Sequence, residues 1–219
     1  MATARPVAPT AVRSEVWYAG YGSNLDPGRF GYYLSGGRPP GARRPVPGAR
    51  DGAPPRDVRA TTLAGQMFFG WESPTWGGGI SFLDPAADGE AYATAYLLSA
   101  GQLADVAAQE MHRDPADDLD LATVLAERRH ELGPGRYETL VLVGEIDGLP
   151  VLTMTAADVE HLPRNAPSGA YLATVVRGLR DVHGLSDDAV TEHLLGREGA
   201  ETWAPDEVRR LVAATASGS

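Results

Sequence analysis

Apolar and aromatic positions crowd Val16 to Tyr21, a β-prone run that breaks abruptly into Gly22-Ser23-Asn24, so the chain opens with a strand and a tight turn. Asp26-Pro27 follows with the chemistry of a helix start, Asp as N-cap and Pro at the first helical position. Runs of small or apolar side chains, several of them alternating with polar ones, predict strands over Leu63 to Trp71, Tyr92 to Leu98, Tyr137 to Ile146 and Val151 to Thr155. Ser99, Ser168 and Ser186 each precede a helically spaced stretch and predict helices over Ala100 to Met111, Gly169 to His183 and Asp187 to Leu195. Between Gly36 and Arg59 prolines and glycines forbid regular structure over most of the length, leaving room for a short edge strand. Both element types occur without a βαβ repeat, which favours a mixed or antiparallel sheet wrapped by helices over a doubly wound parallel one.

Composition narrows the class. The chain has 219 residues, 43% of them hydrophobic, enough for a sizeable core and most simply one domain. Residues 1–14 read as a flexible leader, 15–200 as the domain, and 201–219 as a helical extension and tail. No apolar stretch reaches the roughly 18 residues of a membrane span, and the N-terminus lacks a secretory apolar block, so no membrane association and a cytoplasmic location are expected. A net charge of -10 argues against nucleic acid as a partner, which leaves a small molecule, with a homodimer left open. The stretch from Gly36 to Arg59 runs against this charge: six arginines face Asp51 and Asp57, a local +4 suited either to an anionic group or simply to a solvated loop.

Several chemistries fail on position. Gly20-Tyr21-Gly22 begins like a dinucleotide loop, but Leu25 stands where the third glycine belongs. Ser23 lacks the flanking glycines of a nucleophile elbow. The absence of cysteine removes thiolate chemistry, and the five histidines show no ligand spacing, so neither metal nor cofactor is expected. What remains is the turn Gly22-Ser23-Asn24, whose successive backbone N–H groups suit an anion or a developing oxyanion, or serve only as a structural bend.

Tyr21-Gly22-Ser23-Asn24-Leu25 at the end of the first strand resembles the signature of the γ-glutamylcyclotransferase-like family. The likeness continues through Trp76-Gly77-Gly78-Gly79-Ile80, through Gly89-Glu90 to Leu98, through the helix from Ser99 to Glu110, and through Pro167-Ser168-Gly169-Ala170-Tyr171-Leu172. The resemblance implies an α+β fold with a mixed, largely antiparallel, barrel-like sheet surrounded by helices. It also implies a cofactor-independent enzyme that releases 5-oxoproline and an amine from a γ-glutamyl amide. On this reading Glu110 is the acid/base, and Tyr21, Gly22, Ser23, Asn24, Leu25, Gly78, Gly79 and Tyr171 bind substrate.

The Arg- and Pro-rich stretch after Gly36, the insert-like Met111 to Gly135 and the tail after Leu195 depart from the family pattern and leave the leaving amine undefined. Read from its position alone, beside His112 and Arg113, Glu110 is a solvated helix-end glutamate; burial against the Gly22–Asn24 turn separates the two readings. Tyr171 either closes a pocket or packs its helix. Amide hydrolysis on the same scaffold and a non-catalytic binding module stand as the competing functions.

Overall fold

A computed structural model describes residues 15–215; the expected leader 1–14 lies outside them. Strand β1 (Glu15–Gly20) is central. It pairs antiparallel with β5 (Glu90–Ser99) and parallel with β8 (Leu149–Thr155). β2 (Val58–Ala64) extends the β5 side, while β7 (Thr139–Ile146) and β6 (Arg129–Glu131) extend the other, giving the order β2-β5-β1-β8-β7-β6. All pairings but one are antiparallel, as the patterning predicts. β3 (Gln66–Gly70) and β4 (Ile80–Asp84) form a separate ribbon, and no closed barrel is found among the described strands.

β1 is buried on both faces, and its alternation sorts two cores. Trp17 and Ala19 join the cluster formed with helices α4 (Gly169–Asp181), α5 (Asp187–Leu195) and α6 (Pro205–Ala214). Val16 and Tyr18 join the cluster formed with α1 (Pro27–Ser35) and α2 (Ala100–Glu110). The three serine caps bond their helices at the positions expected, Ser99 as a full capping box with Gln102, and Asp26 caps α1 ahead of Pro27. Val208 and Val212 of α6 are buried in the first core, so this helix of the C-terminal extension packs as part of it, while the tail 216–219 lies outside the described residues.

The strand expected over Leu63 to Trp71 is two strands, divided at Gly65, whose φ of 114° and contact with the Asp84 carbonyl only glycine accommodates. β4 escapes period reading because it is short and its first four residues are buried on both faces. The stretch 111–135 also contributes elements the patterning does not show: α3 (Ala122–Glu127), whose Val124 is buried, and β6, which joins the sheet beside β7. Among the described residues no helix is long and apolar enough to cross a membrane.

Candidate functional site

The turn after β1 is a 3-10 segment, Ser23–Leu25, held from two sides. From β5, Tyr96 Oη donates to the Asn24 carbonyl at 2.6 Å and Thr94 Oγ1 to the Leu25 carbonyl at 2.8 Å. From α4, Gly178 lies so close to Leu25 that any Cβ would collide with it. A Cβ on Gly22 would sit 2.5 Å from Tyr171 Oη, so the turn rests on that phenol. Tyr171 Oη in turn accepts the Ser81 backbone N–H at 2.8 Å.

Glu110 ends α2. Gln109 beside it donates to the Tyr33 carbonyl at 2.8 Å and accepts from Gly48 N–H at 3.2 Å, which ties this helix end to α1 and to the loop before β2. Asn24 then closes the gap: its Nδ2 donates to Glu110 Oε1 at 2.8 Å and to Tyr18 Oη at 3.1 Å. Turn and carboxylate line one cavity of about 270 Å³, a size suited to a small molecule. Glu110 is surrounded by protein but not fully covered, and it lines the cavity.

Burial pushes the Glu110 carboxyl above the ordinary carboxylate range; Arg29, Tyr33 and Asn24 oppose the rise without cancelling it. The phenols of Tyr18, Tyr21, Tyr33, Tyr137 and Tyr171 are all raised, chiefly by burial, and stay protonated. Arg29 is the unexpected member. It is 4% exposed, lies 4.5 Å from the Tyr33 ring centroid and 5.7 Å from that of Trp76, and its Nε and Nη1 have no hydrogen-bond partner. Among the described residues this buried cation has no salt bridge, a costly arrangement, and it is part of the wall of the cavity.

Of the residues singled out in the sequence, Tyr21, Gly22, Ser23, Asn24, Glu110 and Tyr171 meet at the cavity. Leu25, Gly78 and Gly79 do not line it. Leu25 is buried under α4, and the two glycines let the chain pass against the backbone of residues 165–168. Sequence reading misses Arg29, Tyr33, Trp71, Trp76 and Arg136, which also line the cavity. For Arg29 and Tyr33 a signal exists, because they sit one turn apart on the apolar face of α1. The others come from turns with no periodicity. Among the described residues, no group of three or more His, Asp or Glu is placed to hold a metal ion.

No family model matches the chain. In an alignment 199 residues long that covers 82% of this chain, it is 31% identical to histone deacetylase 5 of Arabidopsis thaliana, and it spans 30% of that protein. Among solved structures it is similar to an uncharacterized protein from Homo sapiens, with a TM-score of 0.51 and 17% identity over 92% of this chain and 99% of that one. It also resembles a gamma-glutamyl cyclotransferase, with a TM-score of 0.49 and 14% identity over 91% and 98%. The human protein shares the fold: an α+β chain with a mostly antiparallel sheet and surrounding helices.

Proposed function

We propose that the chain is an enzyme that cleaves a γ-glutamyl amide by intramolecular attack, with Glu110 as the proton carrier. One observation carries the reading: a carboxyl raised by burial is held at 2.8 Å by the side chain of the residue at the centre of the β1 turn, inside one small cavity. The α-ammonium of the substrate loses a proton to Glu110, and its nitrogen bonds to the γ-carbonyl carbon. The bond from that carbon to the leaving nitrogen breaks as Glu110 returns the proton, and the second proton that the ring nitrogen must shed passes to the departing amine, giving 5-oxoproline and the amine as its ammonium form. Backbone N–H groups of the Gly22–Asn24 turn stabilise the oxyanion or grip the substrate carboxylate. The buried Asn24 Oδ1, which has no partner, suits acceptance from the ammonium. Tyr171 supports the turn from below.

Incubation of the purified protein with γ-glutamyl amino acids and γ-glutamyl amines, read by mass spectrometry, tests this. 5-Oxoproline supports cyclisation. Free glutamate instead establishes an amide hydrolase on the same scaffold, and ligand binding without turnover establishes a binding module.

A further inference from the structure

The first four residues of β4, Ile80 to Leu83, are all buried, and one of them is polar. Ser81 is 1% exposed, and its Oγ has no hydrogen-bond partner among the described residues. An alanine would fill the same space without burying a hydroxyl that bonds to nothing, so packing alone does not account for a serine at this position.

Ser81 is also held in one place. Its backbone is clamped by two phenols: the N–H donates to Tyr171 Oη at 2.8 Å, and the carbonyl accepts from Tyr137 Oη. Tyr171 comes from α4 and Tyr137 from the segment before β7. The Tyr137 ring stacks on that of Phe82, the next residue of β4, with the centroids 4.9 Å apart. Burial keeps both phenols protonated. Two segments distant in sequence thus converge on one residue of β4 and fix the position of its Cβ.

What Ser81 meets there is the turn after β1. A Cβ on Gly22 would lie 3.1 Å from Ser81 Oγ and 2.9 Å from Ser81 Cβ, so the glycine is what lets this hydroxyl and the turn backbone adjoin. Both residues, with Tyr137 and Tyr171, line the cavity that Glu110 also lines. The Ser81 hydroxyl is near enough to the Tyr171 oxygen to offset part of the rise in that phenol, yet it is not aligned to bond with it. Its proton is left unused beside the backbone N–H groups of the turn.

Resting on the γ-glutamyl reading above, we infer that Ser81 is a further catalytic residue, whose hydroxyl donates a hydrogen bond to the γ-carbonyl oxygen of the substrate as that oxygen gains charge. The serine keeps its proton throughout, and the bonds that form and break are those already described. Because the hydroxyl is positioned before substrate arrives, charge develops against a donor that needs no rearrangement. A hydrogen bond to an oxyanion is stronger than one to a neutral carbonyl. Loss of this donor therefore falls on kcat more than on KM.

The test compares the parent with Ser81→Ala on the same γ-glutamyl amino acids and γ-glutamyl amines. For each compound the parent turns over, kcat for 5-oxoproline release should fall by roughly 10²-fold, the lower end for loss of one oxyanion donor, while KM stays within about threefold. Thermal melts of the ligand-free variant should show no loss of stability, since the hydroxyl removed had no partner. A kcat that stays at the parent value overturns the assignment and leaves the reaction standing. So does a rise in KM alone, or a loss of activity that follows a lowered melting temperature, which is what a purely structural serine gives. If the parent releases 5-oxoproline from none of the compounds, the reaction is removed and the role of Ser81 with it.

Discussion

Asn24 and Glu110, 86 positions apart, are joined by a 2.8 Å hydrogen bond from the Asn24 amide to the Glu110 carboxylate. The bond fastens the end of α2 to the turn after β1 and sets the acid at the wall of the cavity.

Replacing Glu110 with Gln should separate chemistry from stability. The isostere keeps the shape and an acceptor but carries no proton, so 5-oxoproline release should fall by roughly 10²–10⁴-fold. A carboxyl raised by burial contributes stability below its unfolded pKa and loses it as pH rises through the folded one. At neutral pH the Gln variant should therefore melt no lower than the parent. A loss of activity explained by a lowered melting temperature would count against a catalytic Glu110.

The pH profile follows from the same direction. As proton acceptor Glu110 must be ionised, so kcat/KM should rise with pH along a limb lying above the ordinary carboxylate range of 4.5. Arg29→Gln removes the largest influence holding that carboxyl down, and the limb should move further alkaline. A limb that stays in place would show that Arg29 does not act on Glu110.

Gly22 is required by space. Gly22→Ala puts a methyl group 2.5 Å from Tyr171 Oη and 2.9 Å from Ser81 Cβ, both buried, and should cost about 1–3 kcal/mol in denaturant unfolding. Tyr171→Phe removes the nearer obstacle, so the double variant should recover part of the loss. Strict additivity of the two changes would refute the contact.

His193 should make the fold acid-sensitive at a distance from the site. Burial first, then Arg197 and His183, lower its imidazole from 6.5 to about 4, and its ring stands edge-on to Tyr92 at 5.2 Å. Because the unfolded chain takes up the proton first, stability is full above pH 6.5 and declines as pH falls toward about 4, by at most about 3 kcal/mol. Thermal melts across that range should show a shallower decline in His193→Gln.

The local elements were legible because their causes are local: a proline after Asp26, serines before Ala100, Gly169 and Asp187, and β-prone runs ended by glycine each decide their own conformation. The break at Gly65 was not, since its reason is the carbonyl of Asp84 lying against it in the fold. Glu110 and the turn could be named separately, because one ends a capped helix and the other a strand. Whether that glutamate faced water or Asn24 depended on how α2 packs beside β1, a matter of long-range contact that no periodicity encodes. The same holds for Arg29, Trp71 and Arg136: sequence supplies the side chains and the turns that carry them. Only the packing of distant segments, which buries one cation and gathers the others at an opening, determines which charges a ligand would meet.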